Sequence, residues 1–303
     1  MRVLVTGANG YVGRAVVASL AHRGHEPIAM VRTRGKEIAG AERVRVADLL
    51  DHESLCRAVQ DVDAVCHLAG LTRARESVEH PLRYFRVNTA GTLGLLDAMA
   101  RGGVHRLVFA STGSIYGTPD RQPMTEDLPA APPHPYAGSK LAAELAIEAQ
   151  CGAGELSALI IRMLNVAGGD DPDPTRLIPR AISATTGESV LAVNGDGSAV
   201  RDYLHIADAA DAFAAGIDHL PALGHSATYN VGSGAGSSVN DVIVAVERAT
   251  GQRVSVESRP PAAEPGILIS DPSRAIAELE WSPGRSSIDA IVQDAWSTVS
   301  ASH

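Results

Sequence analysis

The sequence predicts an α/β protein: a doubly wound parallel sheet with a smaller C-terminal α/β domain. Three observations predict it. Short apolar runs alternate with helical stretches through the first half, the pattern of crossover units in a parallel sheet. A glycine-spaced turn follows the first of those runs directly. The chain has 303 residues, 45% hydrophobic and 20% charged, enough for a sizeable core and a second domain.

Each element follows from its residues. Val3–Val5 is a first strand, and Val12 to His22 a helix with Val12, Val16, Val17 and Leu20 on one face. Pro27–Val31 and Val44–Val46 read as the second and third strands. A helix near Ser54–Val59 leads to a fourth strand at Ala64–Leu68. One long helix is expected from about Pro81 to Arg101, a fifth strand at Arg106–Ala110, a helix over Tyr136–Gln150 and a sixth strand at Ser157–Ile161. The second half is less regular. Gly168–Pro174 is a loop by composition, followed by a helix near Arg176–Thr186 and a short strand at Val190–Val193. Residues 205–219 are helical in pattern, and Thr228–Val231 is placed to rejoin the first sheet. A turn over 232–238, a helix at Val239–Thr250 and a Pro-rich irregular stretch, Arg259–Gly266, complete the reading.

Composition narrows the function. A net charge of -9 argues against nucleic acid as a partner. No apolar run reaches the length of a membrane span, and Val3–Val5 is too short for the apolar core of a signal peptide. Cys56, Cys66 and Cys151 lack metal-ligand spacing, so buried thiols, a reducing compartment and no metal are expected. These features suit a cytoplasmic chain. Of the 26 basic residues only Lys36 and Lys140 are lysines.

The chemistry is carried by two motifs. Gly7, Gly10 and Gly13 stand three apart, with Asn9, Tyr11 and Val12 between them, where a strand turns into a helix. Gly7 permits the turn, Gly10 lets backbone approach a pyrophosphate, and Gly13 lets the helix pack on the sheet. The helix N-terminus then faces the phosphates of a dinucleotide. Arg32 and Arg34, after the second strand, suit a ribose 2′-phosphate and favour NADP over NAD; solvated surface arginines are the plainer reading. Asp48 and Leu49 are placed for the adenine, and Leu68, Ala69 and Gly70 for close backbone approach to the cofactor. The second motif is Tyr136 and Lys140, four apart and so on one helix face. A tyrosine is a poor base near neutrality, and a neighbouring ammonium lowers its pKa. Such a pair exchanges a proton with a substrate hydroxyl while a nicotinamide exchanges the hydride.

Together these residues resemble the extended short-chain dehydrogenase/reductase superfamily, and within it the nucleotide-sugar epimerase/dehydratase family, in the pattern of its 4-epimerases. The resemblance runs through His67–Gly70, Ser77–Pro81, Asn88–Thr92, Ser111–Gly117, Arg162–Val166, Val200–His205 and Tyr229–Gly232. It implies a Rossmann dinucleotide-binding domain over residues 1–165 with 205–232, and a substrate domain over 166–204 with 233–303. It implies Tyr136 as base, Lys140 on the nicotinamide ribose, and Thr112 on the reacting sugar oxygen, beside Gly113 and Ser114. Asn88 and Ser111 would order the nicotinamide side. Asn165 and Arg201 would contact the diphosphate of a sugar nucleotide, although Arg201 and Asp202 also read as a local ion pair. The resemblance implies a homodimer through the helices at about 81–101 and 136–150.

Two departures shape the expectation. The family's 4,6-dehydratases carry Asp-Glu after the threonine, where this chain has Gly113-Ser114; its decarboxylases carry glutamate at the position of Ser114. The epimerases also have a late diphosphate-binding arginine, at a position that falls near Pro261 here; either Arg259, two residues earlier, replaces it through a shifted loop, or the nucleotide-sugar grip is weakened. The leading expectation is C4 epimerisation of a nucleotide-activated sugar by transient hydride transfer. The alternative is an NADPH-dependent ketoreductase acting on a related (deoxy)sugar nucleotide, supported by Arg32, Arg34 and by Val31 where NAD-binding members have aspartate. A third reading, a non-catalytic NAD(P) sensor, gives the Tyr136–Lys140 pair no purpose.

Overall fold

The structure, a computed structural model, describes residues 1–301 apart from Lys36, Glu188 and Ala263. Seven parallel strands form the main sheet. Their order is Ser226–Val231, Ser157–Met163, Arg106–Thr112, Ala64–His67, Arg2–Thr6, Glu26–Val31 and Arg43–Val46. The chain winds from Arg2–Thr6 toward one edge, then restarts on the other side of that strand at Ala64–His67. The reversal opens a crevice at the carboxyl ends of those two strands, where Gly7 meets Ala69.

Successive strand residues face opposite layers. Val3, Val5, Ala29 and Val31 pack with helices Tyr11–His22 and Ile206–Asp218. Leu4, Ile28 and Met30 pack with helices Gly91–Gly102 and Pro135–Gly152. Both faces are covered, which is why these strands read as unbroken apolar runs. Thr228–Val231 does rejoin the sheet, inside the parallel strand Ser226–Val231 beside Ser157–Met163. A third core, including Ile178, Leu191, Val246 and Ile291, lies among helices Leu177–Ser183, Val239–Thr250 and Ile288–Ser300.

The structure departs from the sequence pattern in places that bear on function. The single helix expected over 81–101 is three pieces: Pro81–Tyr84, a π-helical turn at Phe85–Ala90, and Gly91–Gly102. Widened turns of this kind carry an extra residue and recur at functional sites. Here the turn contains Asn88, whose side chain binds Leu71 N and O at 2.8 and 3.0 Å and Ser139 Oγ at 3.0 Å. The strand Val200–His205 escaped the pattern because polar Asp202 points inward. Its carboxylate accepts from the backbone of Ser233, Gly234 and Ser270 at 2.8, 3.3 and 3.1 Å, so the burial is compensated. Arg201 and Asp202 therefore do not pair with each other; Arg201 pairs with Glu264 at 3.0 Å. Arg259 does not open an irregular stretch but closes the strand Val256–Arg259, parallel to Leu191–Asn194. Helices Ala74–Glu79, Ser273–Glu278 and Ile288–Ser300 were not anticipated.

Candidate functional site

The glycine turn is built as its spacing requires. Gly7 has φ +69°, and a Cβ on it would lie 2.9 Å from Ala69 backbone; one on Gly13 would lie 2.1 Å from Gly7 O. No side chain caps helix Tyr11–His22, so its first N–H groups face the crevice. A buried hydrogen-bonded chain fixes the two loops. Thr6 Oγ1 accepts from Leu68 N and Ala69 N at 3.1 and 3.0 Å, so its own proton goes to His67 Nδ1 at 2.7 Å. The opposite ring nitrogen then donates to Thr92 Oγ1 at 3.0 Å, and Thr92 donates to Asn88 O at 2.6 Å. Burial, helped by the charge of Lys140, pushes the His67 pKa down to about 3, so the imidazole is neutral.

This crevice opens into a cavity of about 470 Å³. Gly7, Asn9, Gly10, Tyr11, Val12 and Gly13 line one part of it. Arg32, Asp48 and Leu49 line another, and Leu68–Gly70, Ser111, Tyr136 and Lys140 a third. The volume, the glycine cradle and the free helix terminus together fit a dinucleotide.

The Tyr136–Lys140 helix starts at His134, whose Nδ1 accepts from Ala137 N at 3.2 Å, with Pro135 as its first residue. Tyr136 thus sits in the first turn, where the helix dipole favours a phenolate. Its ring is held between Tyr84, centroids 6.4 Å apart, and His134, 5.8 Å apart. Burial raises the Tyr136 pKa, and Thr112 and Arg176 draw it back down. Thr112 Oγ1 accepts from Ser114 N at 3.1 Å, and its own hydroxyl faces Tyr136. Lys140 is 3% exposed. Its ammonium donates to Ala110 O at 2.8 Å, rather than to the phenol, and lies 4.7 Å from the Phe109 ring centre. Burial lowers its pKa to about 8, partly offset by Glu144.

A second cavity, about 440 Å³, adjoins the first. Val12, Thr72, Ser111, Tyr136, Met163 and Arg176 line both. The second runs from Thr112 and Ser114 past Asn165 to Arg201, Tyr203 and Leu268. A site with a dinucleotide-shaped cavity on one side of a tyrosine and a substrate-sized cavity on the other suits hydride and proton exchange at one carbon.

Comparison with known proteins agrees with that geometry. The NAD dependent epimerase/dehydratase family profile matches residues 3–232. The chain belongs to this family. A UDP-glucose 4-epimerase of Azospirillum brasilense is 37% identical, over 98% of this chain and 91% of its own length. The UDP-glucose-4-epimerase of Stenotrophomonas maltophila, solved with bound NAD and formylated UDP-arabinopyranose, superposes with TM-score 0.92 at 30% identity, over 100% of this chain and 98% of that one. That of Bifidobacterium longum, solved with NAD+ and UDP, gives TM-score 0.90 at 29% identity, over 99% and 98%.

In this epimerase/dehydratase family member most of the residues singled out in the sequence come together. Four do not line either cavity. Arg34 is exposed beyond Arg32. Gly113 lies behind the wall, where a Cβ would meet Leu164 Cδ2 at 2.9 Å. Arg259 is exposed and pairs with Glu257 at 3.3 Å. Asn88 acts from beneath, tying Leu71 to Ser139. The sequence reading missed Arg176, which caps helix Leu177–Ser183 through no motif and reaches the site only by folding.

Proposed function

We propose that this protein is an NAD(P)-dependent 4-epimerase of a UDP-sugar, in which a hydride leaves C4 and a proton leaves the C4 hydroxyl, and both return. The observation that carries this reading is Tyr136, in the wall common to the two cavities, beside Thr112 of the second. A bound nicotinamide cofactor supplies reversible hydride storage. Gly7 to Gly13 would hold its diphosphate, Arg32, Asp48 and Leu49 its adenosine end, and Gly70, Ser111 and Lys140 its nicotinamide side. Tyr136 takes the C4 hydroxyl proton and gives it back. Thr112 donates a hydrogen bond to the reacting oxygen, and the buried charge of Lys140 favours the phenolate. Asn165 and Arg201 hold the substrate diphosphate, within a substrate-binding part comprising 166–204 and 233–303. Gly113 and Ser114 offer no carboxyl group beside Thr112, so the acid–base pair for water loss is absent at that point. The names of the relatives support UDP as the nucleotide.

The neighbours are solved with NAD. Arg32 in the cavity wall favours NADP and keeps the ketoreductase reading open. One experiment separates the two. UDP-glucose is incubated with the protein and UDP-galactose followed by NMR, and the nucleotide released on denaturation is identified by mass spectrometry. Conversion without added reductant, with oxidised dinucleotide near one per chain, is the expected result. No conversion, together with stoichiometric NADPH consumption on a keto-sugar nucleotide, would establish the reductase instead.

Two further readings complete the proposal. Buried, free Cys66 and Cys151 suit the reducing cytoplasm, and no described helix is long and apolar enough to cross a membrane. We also propose a homodimer through the helices at 81–102 and 135–152. Leu82 and Leu145 are 75% and 58% exposed there, with Leu93 also outward, while Leu95 and Leu96 are in the core. Leu93→Arg with Leu145→Arg should give a monomer by analytical ultracentrifugation; an unchanged mass would refute this interface.

A further inference from the structure

We infer that Arg176 is a principal ligand of the substrate's diphosphate. The inference rests on the nucleotide-sugar reading above. The diphosphate of a nucleotide sugar, which joins the sugar to the nucleoside, brings two negative charges into the middle of the substrate cavity. Two cations line that cavity, Arg176 and Arg201. Arg259 is not among them.

The two differ in how far the protein already uses them. Arg201 is 18% exposed; Nη2 donates to Glu264 at 3.0 Å and Nη1 to Val200 O at 2.8 Å. Arg176 is 42% exposed, and its hydrogen bonds all leave from Nη1: to Asp171 at 3.2 and 3.3 Å and to Val166 O at 3.5 Å. Nε lies 4.0 Å from Asp173, beyond hydrogen-bond reach. Among the described residues the Nε–Nη2 edge donates to nothing, and that edge is the planar fork that matches two phosphate oxygens. Asp171 and the Tyr11 ring, 5.4 Å from the guanidinium carbon, hold the side chain in place without occupying the fork.

A dinucleotide also carries a diphosphate, and Arg176 touches that cavity too. Its position assigns it to the substrate. Of these two cavities, the residues flanking it, Asp171, Leu177, Ile178 and Pro179, line the second and not the first. The first already provides the free N–H groups of helix Tyr11–His22.

The test titrates UDP, then NAD, into the purified protein and into Arg176→Met, Arg201→Met and Arg259→Ala, by calorimetry. Losing charge-assisted hydrogen bonds costs roughly 10- to 100-fold in affinity. Arg176→Met should weaken UDP by about that factor and NAD by less than about 3-fold, while Arg259→Ala weakens UDP less than Arg176→Met does. Retained NAD binding reports that the variant is folded. A loss on NAD equal to or larger than that on UDP would assign Arg176 to the cofactor and overturn the inference. Unchanged UDP affinity, or a larger loss in Arg259→Ala, would overturn it as well. If the unmodified protein fails to bind UDP while binding NAD, the nucleotide-sugar reading itself falls.

Discussion

Tyr136→Phe should lower kcat for sugar epimerisation by roughly 10²- to 10⁴-fold, the range for loss of a positioned acid–base group. The substitution removes one oxygen and leaves the ring between Tyr84 and His134. KM, melting temperature and cofactor content should therefore change little. The size of the effect follows from what surrounds the phenol. Burial, and after it Tyr84, work against ionisation, and Thr112, Arg176 and the first turn of the helix work for it. A residue placed in a low-dielectric wall and then supplied with a donor, a cation and a helix dipole is equipped to alternate between phenol and phenolate. No second group in the shared wall takes over this role: Val12, Thr72, Ser111 and Met163 lack a proton-exchanging group of comparable pKa, and Arg176 is always charged. Kinetics at saturating UDP-glucose measure the effect. A kcat within about 3-fold of the unmodified protein would remove Tyr136 from the chemistry.

What was legible in the sequence is what local pattern encodes. The Gly7–Gly13 turn, the buried strands and the Tyr136–Lys140 spacing each follow from residues a few positions apart. What escaped depends on distant segments meeting. Arg176 enters the site because helix Leu177–Ser183 packs in the third core, 40 positions from Tyr136 in sequence. Asn88 turns inward because one π-helical turn interrupts a stretch whose apolar pattern reads as continuous helix. Arg259 is a candidate by sequence because it lies two residues before the position of the family's late arginine; pairing of Val256–Arg259 with Leu191–Asn194 leaves its side chain exposed beside Glu257 instead. The partnership expected between Lys140 and Tyr136 is also less direct than helix spacing suggests. Same-face geometry is real, but the ammonium is captured by Ala110 O.

The largest effect on stability should come from Glu144, one turn beyond Lys140 on the same helix. Glu144 is 1% exposed and forms a two-point pair with Arg162, Nη2 to Oε2 at 2.6 Å and Nε to Oε1 at 3.1 Å. Ser111 Oγ donates to Oε1 as well. Arg162 continues through Tyr116 at 2.9 Å, and Tyr116 donates to Asn230 at 2.8 Å, tying strands Arg106–Thr112, Ser157–Met163 and Ser226–Val231 together. Glu144→Gln leaves the guanidinium buried without its counter-charge, a change that costs about 3 to 5 kcal/mol. That corresponds to a fall in melting temperature on the order of 10 °C. Glu144→Leu combined with Arg162→Met should be less destabilised than Glu144→Gln, because no unpaired charge remains. The variant also reaches the chemistry by a route that lost stability cannot mimic. The Glu144 charge holds the Lys140 pKa up against burial, and that pKa already lies at about 8. Removing the charge lets it fall further, so Lys140 loses its proton at lower pH. The alkaline limb of kcat/KM should therefore move to lower pH in Glu144→Gln, measured below the melting range. A destabilised variant whose alkaline limb stays in place would confine Glu144 to the scaffold.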